Sequence, residues 1–104
     1  MNAFAVATDL IFNDQNLGVD AIWRAAGLGD GVAVRVIRRR PDRLANFGDG
    51  RFVTDSTLID CRVSEVPVLA PGDTFQIGAQ HYEVRGEPVR DGLRLTWAAE
   101  ARAL

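Results

Sequence analysis

With 104 residues, 47% of them hydrophobic and 25% charged, the chain has the make-up of one globular domain with a single modest core. No apolar run approaches the roughly 18 residues of a membrane span, and the lone cysteine, Cys61, excludes an intrachain disulfide and speaks against a metal cluster. The formal charge of −2 divides unevenly, with −3 over residues 1–30, +3 over 31–62 and −2 over 63–104. All twelve basic residues are arginine, which binds carboxylate or phosphate in a bidentate way that lysine cannot.

In chain order, Ala3, Phe4, Val6, Ala7, Leu10 and Ile11 fall near helical spacing and make one apolar stripe. The spacing predicts a short amphipathic helix over residues 3–12, stopped by Asn13, Asp14, Asn16 and Gly18. So few residues do not hold a helix alone; the stripe needs its own barrel or a neighbour to pack on. The first nine residues are too acidic and too broken for a secretory signal, so a soluble, cytosolic origin is expected.

From Val19 the period changes to two, with a weak strand signal over residues 19–24. Gly27, Gly29 and Gly31 mark a turn, and the β-branched alternation of residues 32–37 predicts a strand. Residues 38–55, with Pro41, Gly48 and Gly50, read as one long loop. Residues 57–64 then alternate as a strand that closes by Pro67.

The firmest local signal is the hairpin over residues 71–84. Pro71-Gly72-Asp73 suits a turn with proline and glycine at its two central positions. Gly78-Ala79 suits a two-residue type II′ loop, pairing Ile77 with Gln80 and Phe75 with Tyr82. Phe75, Ile77, Tyr82 and Val84 then share the inner face, while Thr74, Gln76, His81 and Glu83 face out. Gly86 and Pro88 mark a bulge or an edge. After the Asp91-Gly92 turn, Leu93, Leu95, Trp97, Ala99 and Ala101 alternate as the inward side of a last strand. The pattern predicts a mainly β fold over residues 1–104, one domain: a small barrel or sandwich with a short N-terminal α-helix and one long loop.

Catalytic constellations are not visible. His81 reads as an exposed strand histidine without a partner in a fixed-spacing motif. Cys61 reads as a small buried hydrophobe. The aspartates show no paired spacing, and the glycines show no nucleotide-cradle spacing. The arginine run of residues 35–43 is the exception. Charge runs are usually solvated, yet this one also suits a contact surface for nucleic-acid phosphate or for a partner's carboxylates. Only Phe47 and Phe52 are aromatic nearby, too few for base stacking, so protein contact is the better reading and a small nucleic-acid-binding barrel the alternative.

Three segments carry a family resemblance: Ile11-Phe12-Asn13-Asp14-Gln15-Asn16-Leu17-Gly18, Val34-Arg35-Val36-Ile37-Arg38-Arg39-Arg40-Pro41-Asp42, and Ala70-Pro71-Gly72-Asp73-Thr74 through Val84. With the order of elements, they resemble the small head–tail joining proteins of long-tailed bacteriophages and related gene-transfer agents. These are also called head-completion or stopper proteins and include the lambda-type joining protein. The resemblance implies a small β-barrel with a mobile N-terminal arm (residues 1–18) and a long loop (residues 38–55). It implies a monomer when free and a ring, typically of six, between the portal-side adaptor and the tail terminator, closing the DNA-filled head and docking the tail. On that reading Phe4, Leu10, Ile11 and Phe12 order against adjacent subunits. Arg35, Arg38, Arg39, Arg40, Arg43, Phe47 and Arg51 are the candidates for contact with a neighbour or with packaged DNA in the channel. No catalytic residue, metal or cofactor is implied. The expected location is the head–tail interface of the virion, reached from the host cytoplasm, with no membrane contact.

Overall fold

The computed structural model describes residues 3–39 and 56–104. Helix α1 (Ala3–Asn13) is followed by strands β1 (Val19–Arg24), β2 (Val32–Arg39), β3 (Ser56–Arg62), β4 (Thr74–Ile77), β5 (Gln80–Arg90) and β6 (Thr96–Ala103), with one 3-10 turn over Ala25–Gly27. The strands close into a barrel in the order β1-β2-β3-β6-β5-β4, every neighbour antiparallel. Closure removes the exposed sheet edges that a chain this small would otherwise have to protect.

Alternation fills the interior. Val34 and Val36 from β2, Ile59 and Cys61 from β3, Phe75 from β4, Tyr82 and Val84 from β5 and Ala99 and Ala101 from β6 are all buried. Small inward side chains on β6 stand beside large ones, as a narrow barrel requires. The hairpin has the register its turn dictates: Ile77 opposes Gln80 and Phe75 opposes Tyr82. Gly78 has φ +61° while Ala79 stays in the negative region, the signature of a type II′ turn. Ahead of it, Gly72 at φ +94° and the Asp73 N–H donating to the Ala70 carbonyl (3.1 Å) make Ala70–Asp73 a type II turn.

Three boundaries differ from the sequence pattern. Strand β2 continues to Arg39, so Arg38 and Arg39 belong to the sheet and not to the loop; the rest of the expected loop lies outside the described residues. Strand β3 stops at Arg62, whose carbonyl accepts the N–H groups of Glu65 and Val66. The following segment turns inward, burying Val66 and Leu69 in the core. Strand β6 begins only at Thr96 because the Asp91 carboxylate collects the Leu95 and Thr96 N–H groups, which leaves Leu93 55% exposed. In β5 the expected bulge is present: the three residues between Arg85 and Val89, Gly86 and Pro88 among them, oppose the one residue between Glu100 and Ala98.

Because strand direction alternates around the barrel, the connections segregate. The ends Arg39 and Ser56 that flank residues 40–55, the Gly78-Ala79 turn and Ala103 lie at one end. The Ala25–Gly27 turn, residues 63–73 and the turn after Arg90 lie at the other.

Candidate partner-contact surface

Of the two supports open to the apolar stripe of α1, its own barrel or a neighbour, the barrel is not the one it packs on. Phe12 is its only buried residue, and Ala5, Thr8 and Asp9 complete the side turned to the barrel. The stripe points outward instead: Leu10 is 70% and Ile11 47% exposed, with Phe4 and Val6 exposed beside them and Leu17 exposed just beyond the helix. The arrangement follows from Arg62. This arginine is almost wholly buried, donating to the carboxylates of Asp9 (3.0 Å) and Glu65 (2.8 Å), with its guanidinium 5.5 Å from the centre of the Phe12 ring. A charge so deep must be paired, and the helix supplies one of its two partners. Among the described residues its Nε has no partner.

A second arginine fixes the end of the helix. Arg35 Nε donates to the Phe12 carbonyl (3.0 Å), Nη2 to the carbonyls of Asp14 (3.2 Å) and Gly18 (3.0 Å), and Nη1 to the Asp20 carboxylate (3.0 Å). Its backbone N–H donates to Glu65, which thus ties both arginine sites together. Helix α1 has no basic residue in its own last turn; Arg35, from β2, neutralises the carbonyl end that a helix leaves open. Gly18 is required there, because a Cβ would fall 2.1 Å from the Phe12 carbonyl oxygen.

The remaining arginine candidates are placed differently. Arg38 has the inward parity of Val34 and Val36, and its Nη1 donates to the Tyr82 hydroxyl at the barrel end where residues 40–55 depart. Arg39 faces outward and grips both oxygens of Asp60 (2.9 and 2.8 Å), which raises its pKa, through these hydrogen bonds first. Arg40, Arg43, Phe47 and Arg51 lie outside the described residues. Sequence reasoning did not find Arg62 or Glu65; the signal was there only as an arginine in a strand whose neighbours are apolar.

His81 is exposed on the outer face of β5. Cys61 is fully buried, its thiol pushed up to about 12 by burial and then by the charges of Asp60, Glu65 and Asp73. Among the described residues no cluster of His, Cys, Asp and Glu is placed to hold a metal ion, and no helix is long and apolar enough to cross a membrane. A wide, shallow depression of about 600 Å³ lies over the outside of β1 and β2, lined by Asp20, Ile22, Ala33, Arg35 and Gln76 among others; it holds no nucleophile–base pair of the kind acyl or phosphoryl transfer needs.

What stands out on this barrel is therefore a surface for another protein: an apolar helix face turned to solvent and held in place by charged contacts beneath it. The comparisons agree. No curated protein matches the chain. A family model described as Phage Head-Tail Attachment protein matches residues 1–101, nearly its whole length, and the closed barrel with one N-terminal helix is the fold expected from the joining-protein resemblance. The chain belongs to this phage head-tail attachment family, whose role is structural, at the joint between head and tail.

Proposed function

We propose that this chain closes the DNA-filled head and docks the tail by assembling into a ring, typically of six copies, between the portal or its adaptor and the tail terminator. The observation that carries the reading is the outward apolar face of α1, with Leu10 and Ile11 uncovered by the chain's own barrel. The family match over residues 1–101 supports the place of action. The occupant of that face is the neighbouring copy. Ring assembly repeats one heterologous contact around an axis, so each subunit presents two different surfaces. The charge partition is partly closed within the chain, where Asp9 pairs with Arg62 and Asp20 with Arg35, so only the remaining charges are left to face the next copy.

A connector of this kind stays monomeric until its template is present. A single short apolar helix face is too small to hold a dimer alone, since stable interfaces bury roughly 1,200–2,000 Å² in total. The two ends of the barrel carry different connections, which gives head-side and tail-side proteins separate surfaces. Arg40, Arg43 and Arg51, outside the described residues, are the proposed contacts with a neighbour or with DNA in the channel. Replacing Leu10 and Ile11 together by aspartate is expected to abolish completion of particles while the monomer stays folded. An undiminished yield of infectious particles from that variant contradicts the reading.

A further inference from the structure

Resting on the reading that the α1 face meets the next copy, we infer that Arg35 is the positioning residue of the arm: while Arg62 and Phe12 decide which face of α1 turns inward, Arg35 fixes the C-terminal end from which the helix presents Leu10 and Ile11, and does not itself contact the partner. Its guanidinium has five N–H donors, and four are taken by the carbonyls of Phe12, Asp14 and Gly18 and by Asp20. Its side chain is only 22% exposed, so little of it is left for a neighbour. All three carbonyls belong to the exit of the helix or the turn behind it. Together they fix the point from which α1 leaves β1, as a planar fork does and a single ammonium cannot.

The rest of the helix is lightly held. Beneath it runs a crevice of about 150 Å³ between Ala5, Thr8 and Asp9 on one side and Arg62, Ser64 and Leu95 on the other. Beyond Arg35, Phe12 and the Asp9–Arg62 pair hold the helix to the barrel. Asp9 is 55% exposed in that pair, which weakens it through solvent screening. With the clasp open, the helix keeps its chain but loses its pose.

The test separates pose from contact. Arg35→Gln removes the fork. Gly18→Ala disturbs the same clasp without touching the charge, because its Cβ displaces the Phe12 carbonyl. A third variant places cysteines at Ala5 and Ser64 in the Arg35→Gln background and joins them by a short bis-maleimide linker; the protonated, buried Cys61 does not compete for the reagent. Each protein is measured for amide exchange as a monomer, then added to filled heads made without it and supplied with tails. Arg35→Gln and Gly18→Ala are expected to keep barrel protection, lose protection over residues 3–13 and lose joining. Arg35→Lys does not restore joining, and the linker does.

Arg35→Gln that keeps helix protection yet fails to join, or that is not rescued by the linker, overturns the inference in favour of a direct contact. Arg35→Gln that frees the helix and still joins overturns it as well. Leu10→Asp serves as the control on the underlying reading. If it joins normally, that reading falls and the role of Arg35 falls with it; if it fails while Arg35→Gln joins, only the role of Arg35 is lost.

Discussion

Asp73 is where three stretches of chain converge. Its buried carboxylate accepts the Trp23 indole N–H (3.1 Å), the Ala26 N–H (2.9 Å) and the Ala70 N–H (3.1 Å). The contact to Ala26 matters because that residue stands at φ +56°, a left-handed conformation costing an L-residue roughly 1–2 kcal/mol. Asp73→Ala leaves three donors without their acceptor and is expected to cost on the order of 3 kcal/mol, at about 1–3 kcal/mol per orphaned group, read as a lowered urea midpoint. Asp73→Asn, which keeps one acceptor oxygen, costs less. The sequence shows Pro71-Gly72-Asp73 as a turn; that its aspartate also braces a strained alanine 47 residues earlier is a long-range fact no local pattern contains.

Cys61 behaves in the opposite way, being legible and confirmed as a buried apolar position. Its thiol is pushed up to about 12 in the folded chain against an ordinary value of 9.0. The folded state therefore holds the proton that the unfolded state gives up between those values. Stability attributable to this group is complete below about pH 9 and is lost as pH rises toward 12. At pH 8 a thiol reagent is expected to leave the native protein unlabelled and to label it fully in denaturant. Rapid labelling of the native protein contradicts the burial.

At the scale of elements, the hairpin of β4 and β5 was legible because two kinds of information agreed. Turn chemistry fixed the register, and alternation independently put Phe75 and Tyr82 on one face. Helix α1 was legible in existence and not in orientation. Its periodicity is real, but a periodic stripe shows only that one face is apolar, not that this face turns inward. The inward face is decided by Arg62, which demands a carboxylate from Asp9, and by the ring of Phe12. Phe12→Ala is expected to undock the helix, with amide exchange over residues 3–13 rising while barrel amides stay protected. Full truncation of a buried Phe costs roughly 3–5 kcal/mol, more than the screened Asp9–Arg62 pair returns. Uniform loss of protection through the barrel would show instead that the helix is part of the cooperative core.

The whole molecule is a small closed barrel whose helix turns an apolar face to solvent. An interface with other chains depends on their sequences too, so a partner surface is not legible from one chain, and the charge split over residues 1–62 is partly used inside it, in Asp9–Arg62 and Asp20–Arg35. The protein-contact reading predicts that the free monomer does not retard duplex DNA even at low salt, where phosphate binding is strongest. A salt-sensitive shift would support the small nucleic-acid-binding barrel instead. Reversing the charges of Arg40, Arg43 and Arg51 is expected to block completion of particles without unfolding the monomer, as judged by circular dichroism.

As the proposed joint between a filled head and its tail, this chain is best tested by electron microscopy of particles produced without it. Heads are expected to fill with DNA, or leak it, and to carry no tails, with purified protein restoring joining when it is added back. Tailed, infectious particles at ordinary yield in its absence would contradict the proposal.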